Sequence, residues 1–106
     1  MTEGIVVMTT TETQADGERL AQVLVEGNLA ACVQVLPQMT SVYRWQGQIE
    51  YAKENLLLIK TTRSAYPGVE AALKRAHHYQ TPEIVALTVE AGSPDYLSWL
   101  LESVKK

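Results

Sequence analysis

The thiol and imidazole donors of this 106-residue chain are few: one cysteine, Cys32, and two adjacent histidines, His77 and His78. Thiolate and imidazole suit copper or zinc, so these three residues form a candidate site for a divalent cation. The spacing does not close a site, because the chain has no Cys-x-x-Cys pair and no two histidines four residues apart. A structural zinc would need a fourth donor, such as the carboxylate of Glu83. The alternative is that Cys32 is a small buried core residue.

A second group of polar and aromatic residues could bind a small ligand. Lys60 and Arg63 flank the junction from a predicted strand to a predicted helix, whose first backbone N–H groups favour an anion. Grooves with aromatic walls and a few polar groups are the usual small-ligand sites. Alternatively, the aromatic residues are interface contacts, and Lys60 pairs with the carboxylate of Glu54, Glu83 or Glu90. The full set is Gln34, Trp45, Lys60, Arg63, Tyr79, Gln80, Glu83 and Trp99.

Composition narrows the possible functions. Nine Lys and Arg against twelve Asp and Glu give a net charge of −3, so the chain lacks the clustered positive charge that nucleic acids require. Short apolar runs, no secretory pattern and a single cysteine predict a cytoplasmic protein with no membrane partner. We also find no nucleophile elbow, glycine-rich phosphate loop or paired-carboxylate signature, and therefore predict a non-enzyme that requires no cofactor.

Residue patterning predicts a β-α-β-β-α-β-α order in one domain spanning residues 1–106. Strands are expected over 4–10, 29–36 resuming at 41–45, 49–62 and 83–90. Helices are expected after the Thr13 cap, from about Ser64, and after Ser93. This order is typical of the α+β, ferredoxin-like split βαβ sandwich, with helices on one face of an antiparallel sheet.

The second and third strands are too long for the domain that contains them. Together they cover about residues 30–62, so each would be roughly 50 Å long at ~3.3 Å per residue. A compact domain of this size is only roughly 35 Å across. The protruding hairpin would expose apolar residues and open strand edges in water, which is marginal for an isolated ribbon. We therefore predict a homo-oligomer in which copies of the chain cover each other's hairpins.

Five ordered motifs that span essentially the whole chain resemble those of a known family, the divalent cation tolerance proteins of the CutA type. His78 stands where many members of that family have proline. The motifs are Leu29-Ala30-Ala31-Cys32-Val33, Ser41-x-Tyr43-x-Trp45-x-Gly47, Leu57-x-Ile59-Lys60-Thr61-Thr62, Tyr79-Gln80-Thr81-Pro82-Glu83-Ile84 and Tyr96-Leu97-x-Trp99-Leu100.

The resemblance implies a ferredoxin-like subunit, a homotrimer built through the second and third strands, and architectural kinship with the PII signalling proteins. The main hypothesis is then a trimeric carrier or signalling protein that binds a small anionic metabolite in clefts between subunits. The family's name supports an alternative, a copper- or zinc-binding tolerance protein that uses Cys32, His77 and His78. A third hypothesis is a trimeric scaffold for a protein partner.

Overall fold

The computed structural model describes residues 2–104, and within them the seven elements follow the predicted order. The bounds are β1 Gly4–Thr11, α1 Gln14–Glu26, β2 Cys32–Trp45, β3 Gln48–Thr62, α2 Tyr66–Ala76, β4 Val85–Thr88 and α3 Pro94–Val104. The strands form one sheet in the order β2-β3-β1-β4, with every neighbouring pair antiparallel. This arrangement confirms the predicted ferredoxin-like fold.

The hydrophobic core lies between the sheet and the first two helices. Alternate residues of the central strands, such as Val7, Leu57 and Ile59, are completely buried there because strand side chains alternate between the two faces. Leu20 of α1 and Leu73 of α2 close the core from the helix side. The apolar stripes of the two helices therefore account for one covered face of the sheet.

Local signals in the sequence begin and end the elements as predicted. The Thr13 hydroxyl accepts a hydrogen bond from the Asp16 backbone N–H at 3.1 Å, which caps α1. At the hairpin tip, Gln46 and Gly47 both have positive φ, 51° and 80°, as a two-residue turn that matches strand twist requires. Pro37, which has no backbone N–H to donate, lies in a β-bulge that is present as a register shift between Leu36 and Met39.

Several boundaries differ from the prediction. Strand β2 begins at Cys32 and not at residue 29, because the backbone N–H groups of Leu29 and Ala30 donate to Leu24 of α1, and it continues to Trp45 without the predicted break. Strand β4 ends at Thr88 and not at residue 90.

Strand β4 begins at Val85 and not at Glu83, because the imidazole Nε2 of His77 binds the backbone oxygen of Thr10 at 2.8 Å. In the β1–β4 register that position of β1 would face residue 83. Helix α2 begins at Tyr66, after a tight turn over residues 62–65 in which the backbone N–H of Ala65 donates to Thr62.

We call the sheet face opposite α1 and α2 the open face. Helix α3 packs against β3 and β1, and its Leu100 is buried but lies outside the main core, so α3 covers one end of this face. Two large apolar side chains of α3, Tyr96 and Leu101, remain exposed. Much of the remaining open face is apolar, and it consists of Val6, Met8, Cys32, Gln34, Leu36, Leu56, Leu58, Lys60, Val85 and Leu87.

Beyond Asn55, strands β2 and β3 continue without β1 beside them. We call this two-stranded segment, residues 39–54, the ribbon. It makes the subunit elongated, with extents of 44 × 25 × 22 Å. The overhang predicted from strand length is therefore confirmed.

Candidate functional site

The thiol and imidazole donors Cys32, His77 and His78 do not come together within one chain. Cys32 pairs with Lys60 across β2 and β3, whereas His77 contacts Thr10, which pairs with Leu56. Four strand residues separate the two positions, roughly 13 Å at ~3.3 Å per residue, and they also lie on different strands. Across residues 2–104, no group of three or more His, Cys, Asp or Glu side chains could hold a metal ion. The predicted set is therefore not a site of a single subunit.

Both ring nitrogens of His77 already have partners. Nε2 donates to the Thr10 carbonyl at 2.8 Å, and Nδ1 accepts from the backbone N–H of Tyr79 at 3.1 Å. These two bonds require the neutral ring with its proton on Nε2. Burial lowers the pKa of His77, which favours the same neutral form. His77 could ligate a cation only by giving up one of these bonds.

His78 points to a different neighbourhood, at the start of α1. Its Nδ1 lies 3.0 Å from Asp16 Oδ2, and its Nε2 lies 3.3 Å from a guanidinium nitrogen of Arg19. Arg19 also donates to the backbone oxygen of Ala76 at 2.9 Å. His78 is exposed, yet the adjacent guanidinium repels an incoming cation. These contacts tie the end of α2 to α1.

Tyr79 joins the segment after α2 to the ribbon. Its phenol donates to Glu54 Oε2 at 2.7 Å, a short bond to a carboxylate. Burial, and next the hydrogen bond to Glu54, raise the pKa of Tyr79 well above its usual value. The phenol therefore stays protonated and acts as a donor at physiological pH.

Lys60, Cys32 and Gln34 lie together on the open face. Lys60 is directly opposite Cys32. Gln34 is opposite Leu58, two residues further along each strand and therefore on the same face. The Lys60 ammonium forms no ion pair with any carboxylate of residues 2–104, so its predicted pairing with Glu54, Glu83 or Glu90 is wrong within one subunit. A half-buried, unpaired cation is thus placed on a mostly apolar surface.

Arg63 has a structural role in the subunit. Its side chain donates to the backbone oxygen of Thr2 at 3.3 Å and to the hydroxyl of Thr88 at 3.1 Å, and its backbone N–H donates to Glu3. These bonds hold the start of β1 against the ends of β3 and β4. Two side-chain nitrogens of Arg63 are therefore already bonded within the subunit.

The remaining members of the predicted ligand set are dispersed. Trp45 lies at the hairpin tip, twelve residues along β3 from the partner of Cys32, or roughly 40 Å at ~3.3 Å per residue. Trp99 stacks on Tyr96 of α3 with ring centroids 5.6 Å apart. Gln80 and Glu83 are exposed in the segment before β4. One subunit therefore does not assemble the predicted pocket.

An open groove of about 360 Å³ does border the predicted anion position. It lies between the start of α2 and helix α3, near the Thr62 end of β3. Neither Lys60 nor Arg63 lines it. Its walls are formed by Thr62, Ser64, Ser98, Leu101, Glu102 and Val104.

Sequence reasoning missed the residues that organise the junction of the ribbon with the rest of the subunit. Asn55 is buried, and its amide nitrogen donates to the backbone oxygens of Thr11 and Glu12 at 3.5 and 3.4 Å. The available signal in the sequence was that a polar residue, Asn55, directly precedes the apolar run of β3. Glu54, the partner of Tyr79, carried no such signal, because a glutamate in a ribbon is ordinarily solvated.

The fold and these contacts define an α+β, ferredoxin-like subunit with an open sheet face and a protruding ribbon. A family model described as CutA1 divalent ion tolerance protein matches residues 5–103. The divalent-cation tolerance protein CutA of Thermus thermophilus is 45% identical over 98 residues, covering 92% of this chain and 95% of that protein. Mouse protein CutA is 43% identical over 83 residues, which are 78% of this chain and 47% of that protein. The chain therefore belongs to the CutA1 divalent ion tolerance family.

Solved structures agree with that assignment. The crystal structure of CutA from Xylella fastidiosa superposes with a TM-score of 0.96 at 36% identity, covering 98% of this chain and 100% of that one. The Thermus thermophilus structure gives a TM-score of 0.92 at 44% identity, covering 94% and 97% of the two chains. The matching descriptions name ion tolerance and no reaction. Within residues 2–104, no helix is long and apolar enough to cross a membrane.

Proposed function

We propose that the protein acts in divalent-cation tolerance as a homotrimer. The observation that carries the proposal is the family match over residues 5–103, together with relatives that are named for divalent-cation tolerance. A cytoplasmic location stays a prediction, since related proteins are described as chloroplastic in Arabidopsis and periplasmic in Archaeoglobus. The scaffold hypothesis likewise stays a prediction.

Self-association is supported by the apolar surface of the single subunit. On the ribbon, Val42 and Tyr51 share one face, with 56% and 74% exposure, while Tyr43 and Trp45 lie on the opposite face. A two-fold dimer contact would cover one ribbon face, whereas apolar residues on both faces fit a ribbon held between two neighbours. The open face of the sheet adds a second uncovered apolar surface.

We infer that a cation would bind between subunits, where donors of different copies could complete the ligand set that residues 2–104 of one subunit lack. Cys32 lies on the open face, where copies of the chain would meet, and it is only half-buried in the isolated subunit. His78 is the more accessible of the two histidines. His77 is bound through both nitrogens and contributes to the subunit's own structure.

Titration of the chelator-dialysed protein with copper(II) and zinc tests this function. We expect saturable binding with a whole-number ratio of ions to trimers, and a loss of affinity of about tenfold or more in Cys32→Ser. His78→Ala measures the contribution of the second candidate donor, and Lys74→Ala, which removes an exposed helix charge, is the matched control. Unchanged affinity and stoichiometry in both donor variants would exclude a specific metal function for these residues.

A second candidate function, binding of a small anion between subunits, is favoured by Lys60. An unpaired ammonium on a face that other copies cover requires a counter-charge, which a carboxylate of a neighbouring subunit or a bound anion would supply. Calorimetry with pools of anionic metabolites tests this idea. Binding that disappears in Lys60→Ala supports it, and identical heats in Lys60→Ala and the wild type contradict it.

A further inference from the structure

The direction of the ribbon is not fixed by the sheet itself. Strand β1 ends at Thr11 opposite Asn55, so only two strands continue outward. At the same place, β2 carries the bulge between Leu36 and Met39, with Gln38 at a φ of 56°. Bulges bend and twist the strand that carries them. We call this place, formed by the bulge between Leu36 and Met39 and by Asn55, the root of the ribbon. The angle between the ribbon and the rest of the subunit is therefore set at the root.

Two side-chain contacts act on this root. From inside the sheet, Asn55 accepts a hydrogen bond from the Gln38 backbone N–H at 3.3 Å. From outside the sheet, the Tyr79 phenol donates to Glu54, which pairs with Met39 just past the bulge. Within residues 2–104, one side chain that belongs to neither β2 nor β3 hydrogen bonds the ribbon, and it is that of Tyr79.

Tyr79 is itself held in place. Its backbone N–H donates to His77 Nδ1, the two rings lie 4.9 Å apart, and His77 Nε2 donates to the Thr10 carbonyl of β1. A continuous set of contacts therefore runs from the central strand, through His77 and Tyr79, to Glu54. Because β1 is a central strand of the sheet, these contacts hold the phenol in position to hydrogen bond Glu54 of the ribbon.

We propose that Tyr79 is a positioning residue for self-association, which sets the angle of the ribbon through Glu54. The proposal rests on the homotrimer proposed above and adds the element that orients its contact surface. From Glu54 to the hairpin tip at Gln48 is roughly 20 Å at ~3.3 Å per residue. A change of about 10° at the root would displace the tip by roughly 3.5 Å, which is sufficient to remove side chains from van der Waals contact.

The substitution Tyr79→Phe tests the proposal, because it keeps the ring and removes only the phenol oxygen. Tyr66→Phe is the matched control, since the Tyr66 phenol also lies near a glutamate, Glu70, but within α2 and away from the ribbon. Glu54→Gln keeps an acceptor oxygen for the phenol. The measurements are the association constant, from sedimentation across protein concentrations, and amide hydrogen exchange of residues 40–53.

We expect Tyr79→Phe to weaken association by about tenfold or more and to accelerate exchange in the ribbon. Tyr66→Phe is expected to change neither quantity, and Glu54→Gln to retain most of the association. Equal effects of Tyr79→Phe and Tyr66→Phe, or a ribbon whose exchange is unchanged by Tyr79→Phe, would overturn the proposal. A monomeric wild type would refute the homotrimer, while ribbon exchange in Tyr79→Phe would still decide whether Tyr79 sets the angle.

Discussion

Strand β3 passes through two regions with opposite relations to solvent. Where it lies beside β1, Leu57 and Ile59 are completely buried under α1 and α2. In the ribbon, Ile49 and Tyr51 of the same strand are 54% and 74% exposed. Apolar residues occur in both regions, but only the first finds partners within its own chain. We therefore expect the body of the subunit, meaning the part outside the ribbon, to determine folding, and the ribbon to determine assembly.

The largest effect is expected in the body. Leu57→Ala should lower the free energy of unfolding by about 2–5 kcal/mol, since it removes a fully buried side chain and leaves a cavity in the core. Denaturant unfolding at a fixed protein concentration measures this loss. A change of under about 1 kcal/mol would contradict the assignment of Leu57 to the core.

The matched substitution in the ribbon should act on association. Tyr51→Ala removes a side chain that touches little of its own subunit, so circular dichroism of the fold should be preserved. We expect association to weaken by roughly thirtyfold, corresponding to about 2 kcal/mol for an aromatic contact at an interface. Sedimentation across a dilution series measures it, and an unchanged association constant would contradict an interface role for this ribbon face.

The dependence of the free energy of unfolding on pH tests the role of His77 in the body of the subunit. Burial lowers the native pKa of His77 below the unfolded value of about 6.5, so the unfolded chain binds the proton more readily. Stability should therefore be constant above that pH and fall as the pH drops through the native pKa. Solvent screening of the half-buried ring keeps the slope below the limit of about 1.4 kcal/mol per pH unit.

His77→Gln should remove this acid-side slope, because glutamine keeps an N–H donor for the Thr10 carbonyl and does not titrate. Urea unfolding between pH 5 and pH 8 compares the two proteins. Parallel profiles for the wild type and the variant would show that another group is responsible.

The smallest effect is expected at the start of α1. Thr13→Ala removes the cap on the Asp16 N–H and should destabilise the fold by about 1 kcal/mol without altering association. Thermal unfolding together with sedimentation checks both parts. Weakened association in this variant would contradict the expectation that folding depends on the body of the subunit and association on the ribbon.

Much of the fold could be predicted from the sequence because its signals are local. The Thr13 cap, the Gln46-Gly47 turn and the bulge after Leu36 all depend on residues adjacent in the chain. The start of β4 could not be predicted, because it depends on His77, eight residues upstream, which donates a hydrogen bond to a backbone carbonyl of β1. Such a contact leaves no periodic pattern.

The candidate sites were less predictable for the same physical reason. Residue type marks Cys32 and His77 as donors, but only the fold shows that Cys32 lies on β2, whereas His77 follows α2 and is already bound to Thr10 of β1 and to Tyr79. The Tyr79–Glu54 bond joins positions 25 residues apart, and neither residue is unusual alone. Residue chemistry thus identified candidates, and tertiary register decided which of them meet.

We propose that further copies of this chain cover the ribbon and the open face of each subunit. Equilibrium sedimentation of the folded wild type at micromolar concentration tests it most directly. We predict a species of three times the 11.7 kDa subunit mass. A stably folded species of 11.7 kDa would contradict the claim, since the exposed ribbon would then persist in water uncovered.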